Sequence, residues 1–256
     1  MTDETVTQTR TTERSVWFAR LGNFLLGGAI LALLLALVTA LLTRFDVVSK
    51  LGGFGMIFNA ATVAVAVAVI ALVVLALAFA LKKRPRRNAV LGLVLSGILI
   101  AILAAQIVPN MGAPMMHDIT TDVDDPPTYS ALTLPEDNLR GFDTVADWQA
   151  AHRQNYASIQ PVVINAAPEQ VMARARTLAE ENGWEIVGGD ADPLRMEAIA
   201  YASFIRFRDF VVVEATPIAD GSTRVDMRSV SEVGLSDLGY NADRIRGFLD
   251  QLQRAG

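Results

Sequence analysis

The chain has 256 residues, 52% of them hydrophobic and 19% charged, with a formal net charge of −5 and a mean hydropathy of +0.36. That balance is too apolar for an ordinary soluble protein of this length and too polar for one made only of membrane spans. The charge divides unevenly: up to Val108 there are ten Lys and Arg against four Asp and Glu, and beyond it twelve Arg against twenty-three acids. The acidic part offers no basic stripe, which excludes nucleic acid as a partner. With no cysteine there is neither a disulfide framework nor a thiolate metal site, and no motif calls for a cofactor.

Residues 1–15 are rich in Thr, Glu and Arg without apolar periodicity and read as a disordered cytoplasmic tail. Residues 16–110 then supply three transmembrane helices, at about 21–43, 54–81 and 89–108. Each is long enough, at roughly 1.5 Å per residue, to cross a bilayer core. The alternation of Ala with Val from Ala61 to Val69 imitates a strand. The uncharged run from Leu51 to Leu81 is too long for one, and a lone strand would leave its edge unpaired in lipid. Gly27, Gly28, Gly92 and Ser96 are small enough to let the helices approach one another.

Between the second and third spans lies Lys82-Lys83-Arg84-Pro85-Arg86-Arg87. Carrying its five fixed charges across a potential of about 100 mV costs on the order of 11 kcal/mol. The positive-inside rule therefore places this loop in the cytoplasm. The expectation is an inner-membrane, multi-pass protein with a cytoplasmic N-terminus and a periplasmic C-terminal domain.

Residues 111–160 read as an extended Asp- and Pro-rich segment with one short helix near Val145 to Tyr156. Residues 161–256 read as a compact domain. Val162-Val163-Ile164 is a strand, Pro168 opens a helix that Asn182-Gly183 ends, and four strands follow at about 184–187, 196–203, 210–217 and 223–231. In the last pair, joined by Asp220-Gly221, the preferred register sets Glu214 opposite Arg228 rather than Asp226. A helix begun by Asn241 and carried by Ile245, Phe248, Leu249 and Leu252 closes the chain. The fold expected is a membrane-anchored α+β protein: three transmembrane helices followed by a small antiparallel sheet with two helices on one face.

Two clusters carry candidate chemistry. His117, Asp118, Asp122, Asp124 and Asp125 place an imidazole and four carboxylates within nine residues, a set able to ligate a hard divalent cation. The same side chains also suit capping of backbone amides in an irregular loop. Arg228, Ser229, Ser231, Asp237, Asn241 and Arg244 gather where the last strand feeds the last helix. They suit an anion or headgroup site, or else a cross-strand pair of Arg228 with Glu214 and a helix cap at Asn241.

The runs His117-Asp118-Ile119-Thr120-Thr121-Asp122, Asp124-Asp125-Pro126-Pro127, Arg228 to Gly234 and Ser236 to Asn241 resemble the DUF1499 family of bacterial and plastid proteins, in which a membrane region often precedes the domain. The resemblance covers roughly Met115 to the C-terminus. It departs at two places, Phe210 and Glu232, where the family usually has an acid and an Arg. No serine-nucleophile elbow is present, and the only histidines are His117 and His152. The function expected is therefore binding, of an envelope protein partner or a lipid-like ligand, by a domain held at the lipid bilayer. The alternative is a metal-assisted hydrolase using the His117 to Asp125 segment.

Overall fold

The computed structural model describes residues 2–82, 87–189, 192–219 and 221–254, with side chains from residue 16 onward. The chain forms two compact units, Met1–Pro109 and Asn110–Gly256. Most of the basic loop, Lys83 to Arg86, lies outside the described residues, as does Asp220 of the expected hairpin turn.

The first unit is three helices: α1 (Thr2–Arg44), α2 (Lys50–Ala80) and α3 (Arg87–Ile107). All three are long and apolar enough to cross a membrane, by length and composition. Helix α1 already begins at Thr2, where a disordered tail was expected; with neither Pro nor Gly before Gly22, nothing stops the helix from extending backwards out of the apolar run. Close packing relies on the small residues. A Cβ on Gly92 would lie 3.0 Å from the Leu25 carbonyl carbon, and one on Gly53 only 1.8 Å from the Thr43 hydroxyl oxygen. Gly28 meets Val67 and Ser96 is buried, whereas Gly27 faces open space.

The second unit contains β1 (Asp118–Thr120), α4 (Val145–Asn155), β2 (Val162–Ile164), α5 (Pro168–Glu181), β3 (Glu185–Gly188), β4 (Arg195–Ala202), β5 (Phe207–Pro217), β6 (Thr223–Ser231) and α6 (Tyr240–Arg254). Its sheet is antiparallel, in the order β1-β6-β5-β4-β3, with β2 also paired to β6. Helices α5 and α6 cover one face. Val171, Met172 and Ala175 of α5 and Ile245, Phe248 and Leu252 of α6 bury against Met196, Val211, Val213, Val225 and Met227 of the strands. Gly183 ends α5 in the left-handed region, and Trp184 turns back to stack on Phe248 with ring centroids 4.7 Å apart.

The hairpin β5–β6 corrects the expected register. Val211, Val213 and Ala215 do oppose Ser229, Met227 and Val225, but Glu214 stands opposite Asp226 and not Arg228. The two acids tolerate this because each has its own cation. Arg195 of β4, directly across from Glu214, reaches its carboxylate at 2.8 Å, and Arg224 pairs with Asp226 at 2.8 Å. A comparison of two strands alone does not see the third.

Residues 111–160, expected as an extended linker before a domain starting at 161, belong to the compact unit instead. They provide β1 and α4, and between them a strap, residues 122–135, that lies over the sheet face opposite α5 and α6. Ile199, Phe210, Val212 and Val230 are buried on that face. Two polar anchors hold the strap. The Tyr129 hydroxyl donates to the Phe210 carbonyl at 2.9 Å. The Glu197 carboxylate, fully buried, accepts from the Ser130, Ala131 and Leu132 amides at 2.7, 3.0 and 2.9 Å and from the Ser130 hydroxyl at 2.7 Å.

Candidate ligand groove at a split edge strand

Strands β1 and β2 run in the same direction along the same edge of β6. Asp118 to Thr120 face Val230 to Arg228, and Val162 to Ile164 face Val225 to Thr223. They are one edge strand in two pieces, separated by the strap and α4. The chain leaves at Thr121, whose amide donates to the Met227 carbonyl at 2.9 Å while its hydroxyl accepts the Met227 amide at 2.9 Å and donates to Asp226. It returns at Pro161.

At that break lies a groove of about 560 Å³, walled by Thr121 to Asp124 on departure, Ile159 to Pro161 and Val163 on return, and His152, Arg153 and Tyr156 of α4 with its C-cap. Val123, Ala157, Ile159, Pro161 and Val163 make much of the surface apolar, and Val163 is 56% exposed. The rim is charged but paired. Asp122 caps the Asp124 and Asp125 amides with one oxygen and takes Arg224 on the other at 2.7 Å, and Arg153 pairs with Asp124. Those two backbone N–H donors, the Asp125 amide foremost, together with Arg224 hold the Asp122 carboxyl below the usual carboxylate range despite partial burial.

His152 sits beneath, packed between Trp148 and Tyr156 with ring centroids 5.8 Å from each and ring planes tilted by 59° and 51°. Its Nε2 accepts the Thr120 amide at 3.1 Å, so the neutral ring carries its proton on Nδ1. Burial pushes its pKa down to about 4. The Trp148, His152, Tyr156 spacing, one residue every fourth along α4, was the available sequence signal for this buried stripe.

The proposed metal set is dispersed. Asp118 binds Arg228, Asp122 binds Arg224 and Asp124 binds Arg153. The His117 Nε2 lies 3.0 Å from the Asn138 carbonyl oxygen. Among the described residues no three His, Asp or Glu are arranged to hold a metal ion. The loop-capping alternative describes Asp122.

The second predicted cluster is brought together only in part. Ser229, Ser231, Asn241 and Arg244 form one network between β6 and α6, closed by a residue the sequence reading missed, Asp209, which accepts from Arg244 at 2.6 Å. Arg228 points from the other sheet face, where it grips Asp118 in a bidentate pair at 2.9 and 2.6 Å instead of the expected Glu214. Asp237 rather than Asn241 caps α6, accepting the Gly239 and Asn241 amides at 2.8 and 2.6 Å. Asn241 instead is fully buried and donates to the His117 carbonyl. With its arginines already spent on internal carboxylates, this region is built as a joint.

Burial raises the Asp237 pKa from the ordinary aspartate value to about 6, against the pull of the two amides. A group whose folded pKa is raised adds stability below its unfolded value and loses it as pH rises through the folded one. Asp237 should therefore add stability as pH is lowered from 7 toward 5, while His152, whose folded pKa is lowered to about 4, takes stability away over the same window. Asp237→Asn keeps only one of the two cap acceptors and has no titrating proton, so its loss of melting temperature relative to the unmodified chain should be larger at pH 5 than at pH 7; an equal loss at both pH values in thermal scans would remove Asp237 as a titrating contributor.

The family model for a protein of unknown function (DUF1499) matches residues 118–252. The chain belongs to the DUF1499 family. No curated protein matches it. The DUF1499 match starts with the first residue of β1 and ends within α6, so the split edge strand, the strap and α4 all belong to the family's domain. At the two positions where the chain departs from the usual DUF1499 pattern, Phe210 is buried with its ring edge-on to Tyr129, and Glu232 pairs with Arg208 at 3.0 Å.

Proposed function

We propose that this DUF1499 protein is a membrane-anchored binding protein that displays its α+β domain on the periplasmic side of the inner membrane and takes a lipid-like amphiphile in the groove at the split edge strand. The groove carries the reading: apolar wall residues, Ala157, Pro161 and Val163, beside a rim of both charge signs suit a molecule with an acyl part and a polar head. The side supports come from the sequence. Five cations in the six residues from Lys82 to Arg87 favour a cytoplasmic loop between the second and third spans, and three crossings from a cytoplasmic N-terminus end outside.

Two measurements test it. Extraction of the purified full chain should release a lipid-like compound detectable by mass spectrometry, and Ala157→Trp, which fills the groove from an exposed position, should abolish that release without lowering the melting temperature. Equal recovery from Ala157→Trp would place the ligand elsewhere. A reporter fused behind Gly256 should be active only in the periplasm, and replacing the cations of the 82–87 loop by neutral residues should reduce that activity.

A further inference from the structure

Seven residues, Met111–His117, connect the last turn of the third candidate span to β1. Met116 and His117 are already buried in the domain, so the linking part is Met111 to Met115, which fully extended reaches about 17 Å. Strand pairing fixes which end of the sheet this tether enters. The start of β1 lies beside the end of β6, since Asp118 faces Val230; the start of β5 lies there too, since Asp209 faces Ser231. The end of β4 is paired with the start of β5. The β4–β5 turn, residues 203–206, therefore sits at the tethered end. It lies three strand spacings, roughly 15 Å, from the point of entry.

That turn has an unusual build. Ser203 and Arg206, neither of them glycine, both occupy the left-handed region at φ 60° and 59°, and the Arg206 amide closes the turn on the Ser203 carbonyl at 3.2 Å. Such conformations cost free energy and concentrate where a loop must hold one shape. The shape held here leaves the Phe204 side chain 55% exposed. Behind it, the Arg206 guanidinium lies 3.8 Å over the Tyr201 ring, with Arg208 and its partner Glu232 next along. Glu232 and Glu185, which accepts the Tyr201 hydroxyl at 2.9 Å, balance the two arginines and make this turn charge-neutral on a domain with a large excess of acid. Met115 on the tether and Leu235 in the loop after β6 add exposed apolar side chains at the same end.

We infer that the β4–β5 turn is a lipid-surface contact: Phe204 enters the headgroup region and Arg206 meets lipid phosphates, so that the domain rests on the bilayer that anchors it. An exposed aromatic beside arginine suits that boundary, where apolar rings and cationic heads each find their solvent. The inference is independent of what the groove binds and of which leaflet the domain faces.

Because the chain has no cysteine, single labels report cleanly. The full chain carrying Phe204→Cys or Leu235→Cys, labelled with an environment-sensitive fluorophore, is placed in vesicles of phosphatidylethanolamine and phosphatidylglycerol. Ile218→Cys, in the β5–β6 turn at the opposite end of the sheet, is the reference. The labels at 204 and 235 should show blue-shifted emission and lose intensity to quenchers carried on lipid, while the label at 218 should lose it to iodide. Iodide quenching at 204 and 235 equal to that at 218 overturns the inference. So does protection at 204 from both quenchers, which means that protein rather than lipid covers the turn. Since 204 and 235 lie in different loops, a folding defect in one variant leaves the other to decide.

Discussion

Glu197→Ala should lower the unfolding free energy of the domain by about 3–5 kcal/mol, the scale on which removing one member of a buried, hydrogen-bonded charge network is felt. The carboxylate is wholly enclosed and receives three consecutive strap amides and a hydroxyl, with the Arg195 guanidinium at 3.2 Å. Alanine leaves those donors without their acceptor. Glu197→Gln keeps the volume and one acceptor oxygen and should cost less, about 1.5–3 kcal/mol, because it loses the charge-assisted bonds and turns an NH₂ group toward other donors. Denaturant unfolding of the full chain in detergent measures both, and hydrogen exchange of the Ser130, Ala131 and Leu132 amides separates strap release from global loss. Unchanged midpoints with protected amides in Glu197→Ala would show that another element holds the strap. The pH sign is opposite to that of Asp237. These donors hold the Glu197 pKa below the usual glutamate value against the opposing cost of burial. Its contribution is therefore complete above the unfolded pKa and is lost as pH falls below it toward the folded one.

The elements legible in the sequence were those that declare themselves locally. The two helices α5 and α6 follow from apolar spacing and, for α5, from Pro168 and Gly183 as its limits; the strands β4 to β6 follow from their length and turn residues. What was not legible depended on partners far along the chain. Asp118-Ile119-Thr120 is three residues long, too short for periodicity to mark, and becomes a strand only because β6 offers it an edge. Residues 122–135 have no period at all, so they read as a linker, yet their backbone donors are satisfied by an acid some 65 residues downstream. The one available hint was Glu197 itself, a carboxylate inside the otherwise apolar run from Met196 to Ala202, which demands a partner. The candidate clusters depend on distant partners in the same way: Asp118, Asp122 and Asp124 stood together in the sequence, whereas each is paired with an Arg from another element.

Asp118 and Arg228 provide the sharpest measurement of that matching. The guanidinium donates through Nε and Nη2 to the two carboxylate oxygens at 2.9 and 2.6 Å; Asn138 donates to the same carboxylate at 2.7 Å, and the Arg228 Nη1 reaches the Pro127 carbonyl at 3.2 Å. Both side chains are nearly enclosed. Arg228→Met and Asp118→Leu should each destabilise the domain by about 3–5 kcal/mol, since each strands a charge that cannot reach water. The double variant should fall well short of the sum, because once both charges are gone no ion remains to be solvated and the apolar replacements can pack. A coupling of about 2 kcal/mol or more from the four unfolding free energies is expected. Additive losses would mean that Asp118 is held chiefly by Asn138 and the Pro127 carbonyl serves Arg228 alone, in which case the pair contributes geometry and little energy. The position of the pair makes the distinction matter: it ties the first strand of the family's domain to the last, on the face the strap covers, so its loss should loosen β1 and with it the wall of the groove that begins at Thr121.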